Sequence, residues 1–138
     1  MVTEYELPLI HQTGITAIVN LMQDWDYKPG NTIDYLHCGF PDGVSIPMKK
    51  IKKIYKFIDK HIVMQKVLVH CALGISRSGG IITGYILREN PTWSWDHAVG
   101  FIRKKHYIYP ANKIRDSILD YLEEIEGIRR NIRIHYPE

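Results

Sequence analysis

His70, Cys71, Ala72, Leu73, Gly74, Ile75, Ser76, Arg77 and Ser78 follow one another in a chain of 138 residues, and their types and order can handle a phosphate. A thiol stands at one end and a fixed positive charge at the other, with five residues between them. The backbone N–H groups of residues 72–77 can curl around one anion, since successive N–H groups in a tight turn form a concave donor site. Cys71 is the candidate nucleophile. A thiol near a helix N-terminus and beside cationic groups falls from ~8.5 to roughly 3.5–7.5 and attacks as the thiolate. Arg77 offers a planar fork that matches two phosphoryl oxygens better than a lysine does. Gly74 lets the loop turn where a side chain would clash. Ser78 places a hydroxyl next to the sulfur, and His70 supports the loop backbone and the thiolate from behind.

The flanks agree. Val67, Leu68 and Val69 make a short apolar, β-branched run of the buried-strand type. Beyond the loop, Ile81, Ile82, Tyr85 and Ile86 recur at helical spacing, so a helix starts near residues 76–78. Strand, tight loop and helix N-terminus together favour an anion, because the first-turn N–H groups lack partners and the helix dipole adds positive potential. Taken singly, a cysteine after a strand is a small core residue and an arginine a surface charge. In register with histidine, glycine and two serines, they read as a site.

The stretch resembles the signature loop of the cysteine-dependent protein phosphatases, His-Cys-x5-Arg-Ser/Thr. Its Gly-Ile-Ser-Arg-Ser ending is most similar to the dual-specificity branch, and the small microbial and archaeal tyrosine phosphatases are nearest in size. The resemblance extends over residues 13–124. Residues 14–21 are similar to the family's early core strand, residues 35–42 to its acid-bearing strand and loop, and residues 102–112 to its late helix and asparagine-bearing loop. The order, acid first and nucleophile second, separates the chain from the low-molecular-weight phosphatases and from Cdc25-like and rhodanese-like proteins.

Phosphate-ester cleavage needs a proton for the leaving oxygen. Asp24, Asp26, Asp34 and Asp42 are the upstream candidates. Asp42, after Phe40 and Pro41 and before Gly43, stands where the resemblance puts the acid, with Phe in place of the Trp of many classical tyrosine phosphatases; Asp26 is the second choice. The resemblance implies in-line attack by Cys71, a phosphocysteine, charge stabilisation by Arg77 and the loop N–H groups, and no metal or other cofactor. It also implies that Asn112 braces the loop, although capping the helix that follows is an equal alternative. No glutamine stands where the classical enzymes place their hydrolytic water.

The composition is ordinary for a globular protein, with 45% hydrophobic and 24% charged residues, and the length fits one catalytic domain over residues 1–138. No apolar run is long enough to span a membrane, and the N-terminus has neither the basic start nor the apolar core of a secretory leader. Two cysteines, one of them the candidate nucleophile, suit a reducing compartment, so a cytoplasmic location is expected. Cys38 reads either as a buried strand cysteine or as a disulfide partner for an oxidised Cys71.

Strands are expected over residues 15–21, 33–38 and 67–70. Helices are expected over 47–61, 78–88, from a cap at Thr92 or Ser94 to about 105, and over 110–126, with Ile114, Ile118, Leu119, Leu122 and Ile125 along one face. Alternation of this kind gives an α/β fold, a mostly parallel sheet flanked by helices of the protein-tyrosine-phosphatase type, with ligand chemistry at the carboxyl ends of the strands. The resemblance implies a further strand segment before the first helix, but only twelve residues precede Thr13, so residues 2–6 supply a stub of it or the sheet is smaller.

The net charge of +3 is modest. Lys49, Lys50, Lys52, Lys53, Lys56 and Lys60 crowd one helix, either as a solvated face or as a dock for an acidic partner. Arg129, Arg130 and Arg133 pose the same choice. Apolar Ala72, Leu73 and Ile75 in the loop favour a singly phosphorylated protein side chain over a phosphoinositide, a nucleotide or an RNA 5′ end. The expected partner is therefore a phosphorylated protein, with neither nucleic acid nor membrane; a phosphoprotein-binding module without activity is the alternative of another class. Nothing in the sequence signals an oligomeric state.

Overall fold

The computed structural model describes residues 6–128. Its elements alternate as the hydrophobic pattern requires. Strands β1 (Ile15–Asn20), β2 (Asp34–His37) and β3 (Lys66–His70) form one parallel sheet in the order β2-β1-β3. β1 lies in the middle, and Ala17, Ile18 and Val19 are completely buried, as an apolar run covered on both faces should be. The helices are α1 (Leu7–Gln12), α2 (Met48–Ile62), α3 (Arg77–Glu89), α4 (Trp95–Arg103) and α5 (Asn112–Glu124).

α1 was not expected. Glu6 stands at its N-cap position rather than in a strand, and residues 2–5 of the anticipated stub lie outside the described residues. Six residues with none buried leave no periodic stripe to read. Other boundaries shift for local reasons. Pro47 takes the N-cap of α2, not its first helical position. Ser94, rather than Thr92, caps α4, its Oγ accepting from the His97 N–H at 3.0 Å. α5 begins at Asn112 with Ala111 as its N-cap, so Pro110 stays in the loop, and Ile125 lies past the helix end, half exposed.

α2 packs its Ile51, Ile54, Tyr55 and Ile58 face inward, and the Tyr55 hydroxyl donates to the Ile81 carbonyl of α3 at 2.8 Å. α3 approaches its neighbours through glycines. A Cβ on Gly80 would come within 2.4 Å of Ile114 Cγ2, and one on Gly84 within 2.1 Å of the Tyr55 hydroxyl. The missing side chains seat α3 against α5 and α2. Val19, Leu21, Phe40, Ile81, Ile118 and Leu122 belong to the same buried cluster. Each such side chain contributes roughly 1.5–3 kcal/mol of burial.

The carboxyl ends of the strands are sewn together. The Leu21 N–H donates to the His70 carbonyl at 2.9 Å, the Cys38 N–H to Asn20 at 3.0 Å, and the Phe40 N–H to Leu21 at 3.3 Å. The loops after β1, β2 and β3 are thereby gathered along one edge.

Candidate active site

The loop after β3 runs directly into the first turn of α3. Gly74 makes its turn with φ +71°, a conformation that side chains other than glycine rarely take. Cys71 is 4% exposed, and its Sγ lies 3.3 Å from the Ser78 Oγ. Burial pushes the thiol pKa up. The Ser78 hydroxyl, the backbone N–H groups of Ser78 and Gly74 and the Arg77 charge all pull it down, and the balance falls below the ordinary thiol value. The charged sulfur is thus favoured at a buried position, because donors and a cation are already aimed at it.

His70 is buried behind the thiol. Its pKa falls to about 4 because burial disfavours the imidazolium, so at neutral pH the ring is uncharged. Nδ1 lies 3.5 Å from the Cys71 carbonyl, which can only accept. The proton therefore belongs on Nδ1, and Nε2 accepts from the Tyr27 hydroxyl at 2.8 Å. Tyr27 stacks on Trp25 at 4.6 Å, and burial raises its phenol pKa, which keeps it a donor. Buried Asn20 holds this segment, its Nδ2 donating to the Trp25 carbonyl at 2.7 Å while its Oδ1 accepts from the Met22 N–H at 2.9 Å.

The four aspartates separate clearly. Asp42 lies beside the loop, its Oδ1 accepting from the Ser76 hydroxyl at 2.7 Å and from the Gly43 N–H at 2.9 Å. No hydrogen bond to Oδ2 is seen among the described residues. Phe40, two residues earlier, is buried, and its carbonyl accepts from Arg77 Nη1 at 3.1 Å. The acid-bearing segment is therefore anchored in the core on one side and on the guanidinium on the other. Asp26 is engaged elsewhere. The Tyr35 hydroxyl donates to it at 2.5 Å, His37 Nδ1 lies 3.5 Å away, and these contacts, led by Tyr35, hold its carboxyl below the usual carboxylate range. Asp34 sits at the amino end of β2, where it accepts from Gln65 at 3.0 Å, and Asp24 is exposed on the loop after β1.

A second loop, joining α4 to α5, embraces the first. His106 Nε2 donates to the Gly74 carbonyl at 2.8 Å, the Tyr109 N–H to the Ile75 carbonyl at 3.0 Å, and the Ala111 N–H to the Ser76 Oγ at 3.1 Å. Among the described residues no hydrogen bond joins the Asn112 side chain to the loop, and Ala111 rather than Asn112 is the N-cap of α5. Asn112 opens α5 and lines a cleft with Trp95, Arg103 and Arg115, and the neighbouring backbone does the holding. His106 and Tyr109 escape a sequence reading because a lone histidine after two lysines and a backbone N–H carry no signal of their own. Ser76 was read only as an N–H donor, yet its hydroxyl joins the acid-bearing segment to the second loop.

Cys38 is a buried free thiol, its pKa pushed up by burial, and no disulfide joins it to Cys71. No group of ligands able to hold a metal occurs among the described residues. Leu73 is 80% exposed at the mouth, and Tyr107 and Tyr109 on the second loop are exposed as well.

Residues 2–124 match the family model described as the dual specificity phosphatase catalytic domain. The chain belongs to the dual specificity phosphatase family. It is 31% identical over 121 residues, 86% of its length, to a probable dual specificity protein phosphatase of Dictyostelium discoideum, and it spans 29% of that relative. Among solved structures it is similar to Tk-PTP in the active form, with TM-score 0.73, 25% identity and coverage of 91% of this chain and 88% of that one. It shares the fold of PTPMT1 crystallised with PI(5)P, with TM-score 0.75, 16% identity and coverage of 92% and 89%. The domain is that of a cysteine-based phosphatase, of a family that acts on phosphorylated substrates.

Proposed function

We propose that residues 1–138 form one catalytic domain that hydrolyses phosphotyrosine in proteins, and phosphoserine and phosphothreonine as well, through a phosphocysteine. The observation that carries this reading is the meeting of three groups at one loop. They are a thiol whose surroundings favour its charged form, Arg77 beside it, and the Asp42 carboxyl hydrogen-bonded to Ser76. In the first step Cys71 Sγ attacks phosphorus in line. The S–P bond forms, the bond from phosphorus to the ester oxygen breaks, and Asp42, entering protonated, gives its proton to that oxygen. Arg77 and the N–H groups of residues 72–77 (Ala72, Leu73, Gly74, Ile75, Ser76 and Arg77) carry the charge on the equatorial oxygens, where positioning and electrostatics supply most of the catalysis. In the second step water attacks phosphorus, Asp42 takes its proton, and the S–P bond breaks. The departing thiolate is received by the Ser78 hydroxyl, and no metal takes part.

Protein rather than lipid is favoured by the loop and its rim. Residues 72–76 bring no basic side chain toward a second phosphate. Leu73, Tyr107 and Tyr109 offer apolar surface for the body of a tyrosine ring. A cytoplasmic site of action belongs to the same reading, since a low-pKa nucleophile needs reducing surroundings. The test is a panel of phosphotyrosine, phosphoserine and phosphothreonine peptides against phosphoinositides and RNA 5′ ends, in excess chelator. Turnover of the phosphotyrosine peptides is expected. Turnover confined to phosphoinositides or RNA ends, or dependent on added metal, would overturn the reading.

A further inference from the structure

Helix α2 faces solvent mainly with lysine. Lys49, Lys53, Lys56 and Lys60 fall at i, i+4, i+7 and i+11, with Lys52 beside them, and all five are exposed. They form one stripe opposite the buried face of Ile51, Ile54 and Ile58. Lysines three and four residues apart repel and destabilise a helix, so the stripe works against the element that carries it. A merely solvated face mixes its signs, as α5 does with Lys113, Arg115, Asp116, Asp120 and Glu123. The one acid of α2, Asp59, is bound to Arg88 at 2.8 Å and neutralises none of the stripe.

The stripe ends in an apolar tip. Ile62, Val63 and Met64 are consecutive and 41%, 77% and 89% exposed, at the end of α2 and in the turn that leads to β3. Contiguous exposed apolar residues mark a contact surface far more than scattered ones do. A row of cations leading to an apolar tip matches an anionic bilayer. Headgroups take the lysines, whose stems lie along the interface, and the acyl boundary takes the tip. An acidic protein segment would account for the lysines and leave the tip in water.

We propose that α2 and the turn after it attach this domain to an anionic membrane surface. The contact is peripheral, for no helix among the described residues is long and apolar enough to cross a bilayer. It also leaves the catalytic mouth open. Met64 precedes β3 and Cys71 follows it, so they lie at opposite edges of the sheet, roughly 20 Å apart at about 3.3 Å per residue. The proposal is independent of the substrate reading and survives its failure.

The test is co-sedimentation of the full chain with phosphatidylcholine vesicles, with and without phosphatidylserine. Binding is expected only with phosphatidylserine and is expected to be reversed by salt. The variant Lys53→Gln, Lys56→Gln, Lys60→Gln should weaken it about fivefold per lysine. Val63→Ser with Met64→Ser should weaken it severalfold, and both variants should turn over a soluble aryl phosphate as the parent does. No binding to phosphatidylserine vesicles, or binding indifferent to the lysine variant, overturns the proposal. Binding indifferent to the serine variant, with a polyglutamate peptide held equally by parent and serine variant, also overturns it and assigns the lysines to an acidic protein.

Discussion

Residues 70–78 and residues 106–111 meet around the same thiol, but they are built in different ways. The first segment carries its chemistry in consecutive side chains. Strand β3 delivers it, α3 receives it, and the donors that favour the thiolate come from Ser78 and Gly74 within the segment. The second segment has no regular structure. It acts through one histidine ring and two backbone N–H groups, on Gly74, Ile75 and Ser76. Reactivity is local in the chain, whereas shape is imposed from some 30 residues away. Damage to the first segment should abolish chemistry in a folded protein. Damage to the second should loosen the geometry and slow the chemistry by much less.

The largest effect expected is from Cys71→Ser. It should lower turnover of an aryl phosphate by at least about 10⁴-fold while the thermal midpoint stays near that of the parent. A comparable loss of stability would mean that the thiol is structural and would break the contrast. Asp42→Asn comes next, with a loss of about 10²–10³-fold that is greater for phenyl phosphate than for a nitrophenyl ester, whose leaving group needs no proton. Equal losses on the two esters would place the acid elsewhere.

His70 sharpens the structural side of the comparison. Burial lowers its pKa from 6.5 to about 4 in the folded protein. The unfolded chain therefore binds more protons between those values. The stability that His70 contributes is complete above pH 6.5 and is lost as pH falls toward 4, to the extent of about 3 kcal/mol. Urea midpoints across that window should fall less in His70→Gln than in the parent.

The smallest effect concerns the embrace itself. Ser76→Ala removes the link between Asp42 and Ala111, two hydrogen bonds of which the one to Asp42 positions the acid, and should reduce kcat by about tenfold. Asn112→Ala should stay within about twofold, since the side chain makes no bond to the loop among the described residues. If the two were reversed, the second loop would hold through Asn112 after all.

The same contrast explains what could be read from the chain alone. The three strands, the four longer helices and the nucleophile loop announce themselves through apolar period and through residue types in register. The residues alone left the acid as one of four aspartates, and only the resemblance put Asp42 ahead of Asp26. Its distinction from Asp26 lies in partners, Ser76 for one and Tyr35 for the other, that are 34 and 9 residues distant. Asn112 offered itself either as a brace for the loop or as a helix cap, because a side chain is visible in a sequence and the N–H of Tyr109 or Ala111 is not. Tyr27 gave no sign of reaching His70, 43 residues on, since that contact depends on buried Asn20 turning the chain after β1.

The central claim is that Cys71 is the atom-bearing nucleophile and that Asp42 serves both steps. Rapid acid quench of the enzyme during turnover of an aryl phosphate, followed by mapping of the modified peptide, tests it directly. The account predicts one phosphoryl group on Cys71, formed as fast as the phenol is released and more slowly in Asp42→Asn. Release of phenol with Cys71 unmodified at every time, or a phosphoryl group found on another residue, would contradict it.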